Sequence, residues 1–370
     1  MNSVNRRRCH RAMAALLSAF AVACLLPARA IAQSCGSIEW VCHKTADGQH
    51  PDGVEQAFVW LMNRARQNPA AEGAFLAGLD DPFVVGAEDF YGVDLGVLQN
   101  EFDALAAKVP AAFDRRLYVA ATQHAALMID SNSLDPACGG QGEPLCQLNR
   151  VGPAGFFFQA GGLRGNSLGL ATSAIAGHAA WNIDWGPLPS NPPGMQPGRP
   201  HRNGVMGTVD ATATLDMTNV GLAAVPTSGD LGPFVVVANY ANANTVVGDH
   251  FDRFLVGTVW RDLDGDSLYD PGEGRSGVMV STNVSTRFAV TSAGGGYAIP
   301  VTAPGAMQVM FSGAGVPTEV VPTTVGASSV LVDYVVPEPD AIASGAIGAL
   351  SLALLRSGRR THANPSALDR

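Results

Sequence analysis

The chain has 370 residues, of which 15% are charged and 47% hydrophobic, and a formal charge of −9. An acidic surface repels phosphate backbones and anionic headgroups, so nucleic acid is excluded as an expected partner. The apolar content suffices for packed cores, 42 Gly and 24 Pro mark a loop-rich and partly β chain, and the length leaves room for two domains.

At the start stand Arg6, Arg7, Arg8 and Arg11 with no acidic residue, then an apolar run from Met13 to Leu26, then Ala30 and Ala32. This order predicts a signal peptide over residues 1–32, cut after Ala32 to leave Gln33 first. A retained span needs about 20 apolar residues, more than the run provides. A lipid-anchored start at Cys24 fits less well, because Ala21 stands where such signals carry Leu. Loss of the leader's five Arg takes the exported chain to −14. Cys35, Cys42, Cys138 and Cys146 remain, and four thiols allow three pairings. In an oxidising compartment the close pairs Cys35/Cys42 and Cys138/Cys146 are expected. The alternative is a four-cysteine zinc site, although neither pair has C-x-x-C spacing.

Val54, Phe58, Leu61 and Met62 recur at helical spacing, with Pro69 near the end of that helix. Asp114 caps a second helix with the stripe Leu117, Ala121, Ala125 and Met128. Residues 135–169 read as Gly-rich and irregular, 172–185 as helix, and 187–200 as a long proline-rich loop. Asn219–Val225 and Pro233–Tyr240 read as buried strands. Composition changes after 239–244, placing a boundary near Val246. From Phe254 to Val335 short β segments alternate with Gly and Pro turns, the pattern of a small β-sandwich.

Taken in order, LMNRARQNPAAEG, AFDRRLYVAATQHAALMIDSN, AWNIDWG, PHRNGVMG, NVGLAA and FVVVANYA make residues 52–243 resemble the CAP superfamily of cysteine-rich secretory, antigen-5 and pathogenesis-related proteins. The resemblance implies an α-β-α sandwich with a large cleft. In many members that cleft presents two His and two acidic residues able to hold a divalent metal. His201 matches the second family His, while no His stands at 135–138 where the first is expected. Where the family writes Gly-Glu-Asn the chain has Arg164, Gly165 and Asn166, so the carboxylate is gone. One imidazole is short of the three or four protein ligands a zinc site takes. His124 and His178 read as packed or solvent-facing residues. A nucleophile Ser167 with His201 and Asp184 lacks a G-x-S-x-G elbow. No catalytic residue is therefore expected, and the cleft set is His201, Asn166 and Asp184. At least one of Phe156, Phe157 and Phe158 is expected to face a groove or partner, since adjacent strand residues point to opposite sides.

GTVWRDLDGDSLYDPGEGRSGVMV and TSAGGGYAIPV make 254–335 resemble the Sdr B-type β-sandwich repeats of bacterial surface proteins. Counted from Asp262, a calcium loop places Asp264, Asp266, the carbonyl of Leu268, Asp270 and Glu273 at ligand positions, with Ser267 where Gly is normal. The alternative is a solvated acidic loop. VVPEPDAIASGAIGALSLALLRSGRR resembles a PEP-CTERM sorting signal, with Pro337, Glu338 and Pro339, an apolar helix from Ala341 to Leu355, then Arg356, Arg359 and Arg360. Arg on the far side suits a body held outside the membrane.

The expected class is α+β. A disulfide segment over 33–51 precedes a CAP-like α-β-α sandwich over 52–245. A calcium-binding all-β sandwich over 254–335 and a hydrophobic sorting helix over 337–360 follow. The expected protein is exported and displayed at the cell surface or in the extracellular matrix, held to the membrane at least transiently by its tail. Its expected cofactor is Ca2+, with no organic cofactor. Expected partners are a lipid, an extracellular protein or a polysaccharide, and an exosortase-type processing enzyme. The alternative is a secreted CAP-cleft hydrolase, metal-dependent or not.

Overall fold

The computed structural model describes residues 34–186, 194–208 and 215–338. The expected leader over 1–32 and the expected tail from Pro339 onward lie outside the described residues. Helices and β-sheets are both present, so the α+β class holds. No helix among the described residues is long and apolar enough to cross a membrane.

Asp52 starts α1 (Gly53–Gln67): its carboxylate accepts the Glu55 N–H while Glu55 accepts the Asp52 N–H, so two end donors are satisfied at once. Pro69 opens α2 (Pro69–Ala77), in the first turn of a helix where a missing N–H costs nothing. Two helices not legible in the sequence follow, α3 (Pro82–Tyr91) capped by Asp81 and α4 (Leu95–Asp103) capped by Asp94. Next come β1 (Ala112–Phe113), α5 (Arg115–Ser131) with the expected Asp114 cap, and the single turn α6 (Leu145–Leu148). The segment expected to be irregular over 135–169 holds most of a long strand, β2 (Phe158–Ala171). Then follow α7 (Ala174–Ile183), α8 (Pro200–Val205), β3 (Asn219–Pro226) and β4 (Phe234–Ala243).

The first sheet runs β1-β3-β4-β2, antiparallel except for the β1–β3 pair. Register and alternation put Asn166, Ala238, Tyr240 and Leu222 on one face and Gly165, Asn239 and Gly221 on the other. α5 presses on the second face: a Cβ on Gly221 would stand 2.1 Å from the Tyr118 nitrogen, and Asn239 donates to the Leu117 carbonyl. α8 lies on the first, where Asn166 donates to the His201 carbonyl. Beneath it Arg66 of α1, 1% exposed, donates to the carbonyls of Val205 at 2.6 Å and Met217 at 2.7 Å. Burial lowers that guanidinium to about 10.

The second body comprises β5 (Phe254–Trp260), β6 (Met279–Thr282), β7 (Phe288–Val290), β8 (Gly296–Pro300), β9 (Gly305–Ser312), β10 (Glu319–Val325), β11 (Val330–Leu331) and β12 (Tyr334–Val335). One sheet is β10-β9-β6-β7, and in the other β5 pairs with β8, β11 and β12. Met307, Val309 and Phe311 alternate inward from β9 and meet Leu255, Val280 and Ile299 in a shared core.

Two seams join this body to the rest. Trp40, from the segment before α1, sits edge-on to Phe251 at 5.3 Å and its N–H donates to the Phe288 carbonyl. On α1, Trp60 meets Trp260 at 5.8 Å and Tyr269 at 6.4 Å, and Gln56 donates to Thr258. Cys35/Cys42 and Cys138/Cys146 form the disulfides expected from sequence, with Cα separations of 4.9 and 5.5 Å.

Candidate functional site

Asp184 ends α7 in the left-handed conformation, φ 58°, which turns its wholly buried carboxylate toward the start of α8. There it accepts the His201 N–H at 2.9 Å and stands 2.8 Å from His201 Nδ1. A carboxylate only accepts, so Nδ1 is the donor of this pair and Nε2 is the ring nitrogen left without Asp184. One third of the His201 side chain remains exposed. The structure therefore brings together all three residues expected in the cleft, because Asn166 binds the His201 carbonyl at 2.8 Å.

His201 and Asn166 border a cavity of about 510 Å³ whose lining includes Glu143, Gln147, Leu148, Leu163, Arg164 and Asn203, while Asp184 lies behind His201 and does not reach it. Gln147 and Glu143 were not legible as cleft residues: Glu143 lies in a loop and Gln147 in the single turn α6, too short to show periodicity, both beside the Cys138/Cys146 bond. Gln147 explains Gly165. Its amide, 2% exposed, donates to the Ala238 carbonyl at 2.9 Å and to Asn239 Oδ1 at 3.0 Å. A Cβ on Gly165 would stand 2.6 to 2.8 Å from the Gln147 amide group. Where the family resemblance implies a carboxylate, this chain has a glutamine amide occupying the space.

Ser167 also lines the cavity, but no hydrogen bond joins it to His201, and alternation turns it away from the face of Asn166. None of Phe156, Phe157 and Phe158 is among the cavity's lining residues. Phe156 is buried under Arg116, Phe158 is half-buried, and Phe157 is 48% exposed, so one of the three does face outward. His178, set aside as a ligand from sequence, is buried against Glu72 at 2.8 Å. Glu72 also takes both ends of Arg64 at 3.0 Å, and although burial opposes its charge, these partners hold its carboxyl below the usual range.

The acidic loop lies elsewhere, between β5 and β6. Asp262 accepts the Gly265 and Ser267 N–H groups at 2.7 and 3.1 Å. Asp264 accepts from Asp266, and Asp266 accepts from Leu268 at 2.7 Å. Glu273, 3% exposed, spans the loop by accepting the Leu263 N–H at 2.6 Å and the Asp270 N–H at 2.9 Å. Oxygens of Asp262, Asp264 and Glu273 lie within 4.8 Å of one another, and so do oxygens of Asp264, Asp266 and Asp270. Ser267 has φ 66°, the left-handed turn for which the position ordinarily uses Gly. Burial, then Asp266, Glu273, Asp264 and Asp262, raise the carboxyl of Asp270. The loop is not isolated: the Leu268 side chain packs on the main core, and Tyr269 is buried there beside Trp60.

Comparison with known proteins finds no family model that matches the chain and no curated protein that matches it. Its function is therefore argued from the geometry of these two places.

Proposed function

We propose that the chain is an exported surface or matrix protein with a non-catalytic CAP-like α-β-α body. That body binds a lipid, an extracellular protein or a polysaccharide through the cleft at His201, and it is carried on a calcium-stabilised β-sandwich. The leader directs export, and the tail gives transient membrane attachment until an exosortase-type enzyme removes it.

One observation carries the non-catalytic reading. Gln147 fills the space beside Gly165, and its amide is committed to Ala238 and Asn239. The cleft thereby presents one imidazole, His201, and the carboxylate that orients it is wholly buried. Among the described residues, three or four protein ligands do not converge on His201, as a zinc centre requires. The cavity, walled by Leu148 and Leu163 and edged by Arg164, Asn203 and His201, suits a ligand with an apolar body and a polar end.

Calcium at the acidic loop is supported by oxygen donors alone, at alternating positions, with Asp264 shared by both close-set groups. A cation there would relieve the repulsion among carboxylates that, after burial, raises Asp270.

The test is His201→Ala in the full chain, assayed against a panel of esters and peptides and for capture of fatty-acid or sterol vesicles. The expected result is no turnover in either protein and vesicle binding within about threefold of the parent. Turnover in the parent that vanishes in the variant selects the hydrolase instead, since an acid-oriented His with a free Nε2 is the geometry of a general base.

A further inference from the structure

His43, His50, His178, His201 and His250 each hold a hydrogen bond through a ring nitrogen. His124 is the exception among the described histidines. It lies on α5 with none of its surface exposed, and neither ring nitrogen has a hydrogen-bond partner. Its Nε2 stands 2.7 Å from Glu143 Oε1, but the direction is wrong for a hydrogen bond, so that oxygen is left unpartnered as well. Buried polar groups are ordinarily hydrogen-bonded, so two that face each other without a bond leave room for a shared ligand. A third donor is beside them: the ligand atoms of His124, Glu143 and Cys146 all lie within 4.8 Å of one another. In the structure Cys146 is bonded to Cys138.

We propose that opening the Cys138/Cys146 disulfide converts this corner into a zinc site, with His124 Nε2, the Glu143 carboxylate and the Cys146 thiolate as ligands and water in the fourth position. The donor set of nitrogen, sulfur and oxygen is one that zinc takes and calcium does not. One thiolate and one carboxylate balance the charge of the ion. The charged groups facing the corner are Arg150 and Asp135, the second of which accepts the Glu143 N–H. Glu143 and Gln147 line the cavity at His201, so water reaches the fourth position from there.

The chemistry balances with a dithiol as reductant. Its two thiols give two electrons and two protons to the Cys138–Cys146 bond and leave as a cyclic disulfide; zinc then displaces the proton of Cys146 into solvent. Metal and disulfide are alternative uses of one sulfur. The first ties α6 to α5, and the second ties α6 to the loop before it.

Cys138→Ser frees Cys146 with no reductant, leaves the Cys35/Cys42 bond in place and touches neither His124 nor Glu143. Cobalt(II) added to the full chain carrying this change is expected to give a thiolate-to-cobalt charge-transfer band at one equivalent, abolished by zinc. The oxidised parent should give none. Adding Cys146→Ser or His124→Ala to Cys138→Ser should remove the band, and Glu143→Gln, which keeps the side chain's volume, should weaken binding at least tenfold if the His124 change impairs folding. Absence of the band in folded Cys138→Ser protein, or its survival without Cys146 or in the Glu143→Gln protein at unchanged affinity, overturns the proposal.

Discussion

The two candidate sites use carboxylates in opposite ways. At the cleft, Asp184 is sealed beneath His201 and a glutamine amide takes the place where the family resemblance implies a second acid. At the loop, three aspartates crowd one edge, while Glu273 is anchored by two backbone N–H groups. In the first region Asp184, His201, Asn166 and Gln147 are tied to one another or to backbone groups, so removing one of them leaves a partner unpaired. In the second, like charges gather and gain from an added cation. Stability should therefore depend on internal bonds in the α/β body and on solution conditions at the loop.

The strongest test of that contrast is Arg66→Ala. It strands the carbonyls of Val205 and Met217 far from water. A loss of about 2 to 6 kcal/mol is expected in a denaturant titration, as two buried carbonyls each lose a charged donor. A loss below about 1 kcal/mol would show that water relieves those carbonyls and that the body is less self-contained than described.

Calcium comes next. At a hundredfold excess over Kd, binding should stabilise the fold by about 2.7 kcal/mol, read as a rise in melting temperature. Glu273→Gln should abolish most of that rise, and comparison in chelator separates the ion from the two N–H bonds the residue also accepts. Because Tyr269 packs on Trp60, hydrogen exchange should slow with calcium in α1 as well as in the loop. Identical transitions in calcium and chelator would leave an ordinary acidic turn.

Gly165→Ala should cost about 1 to 3 kcal/mol by pushing Gln147 off its bonds. Gln147→Ala in the same chain should recover part of it, and failure to recover would mean the amide is not what excludes the Cβ.

The smallest effect concerns pH. Burial raises Asp333 to about 6, against the Thr258 N–H that favours its charge. A carboxyl raised on folding lends stability that is full below its ordinary value, 3.8, and is lost as pH rises through about 6. Partial exposure holds the loss to about 1 kcal/mol. Asp333→Asn should flatten the stability profile between those values.

Legibility in the sequence followed locality. The cap Asp114, the stripes of α1 and α5, and the apolar runs of β3 and β4 are signals within a few residues, and the structure has them where the pattern places them. β2 was missed because Gly161, Gly162, Gly165 and Gly169 interrupt any alternation. Two of them are there for close neighbours: Gly165 for Gln147, and Gly169 for Leu134, whose Cδ2 would be 2.9 Å from a Cβ. α3 and α4 are short and lightly packed, with Val84 alone buried from α3, so their apolar spacing is faint. In the cleft, Asp184 and His201 were legible as members of one set, whereas Gln147 announces itself only through the strand it faces. The pairing of His178 with Glu72 spans 106 residues, which no spacing rule covers.

The seam at Trp40 bears on the order in which the molecule is completed. Residues made early, at Ile38–Trp40, find their backbone partner at Phe288, and Lys44 finds its own at Val290. The segment therefore completes its pairing only after 246 further residues are made, a closure over long sequence distance of the kind that slows folding. A cut near Val246 leaves Trp40 on one fragment and Phe251 and Phe254 on the other. Neither fragment carries the complete cluster.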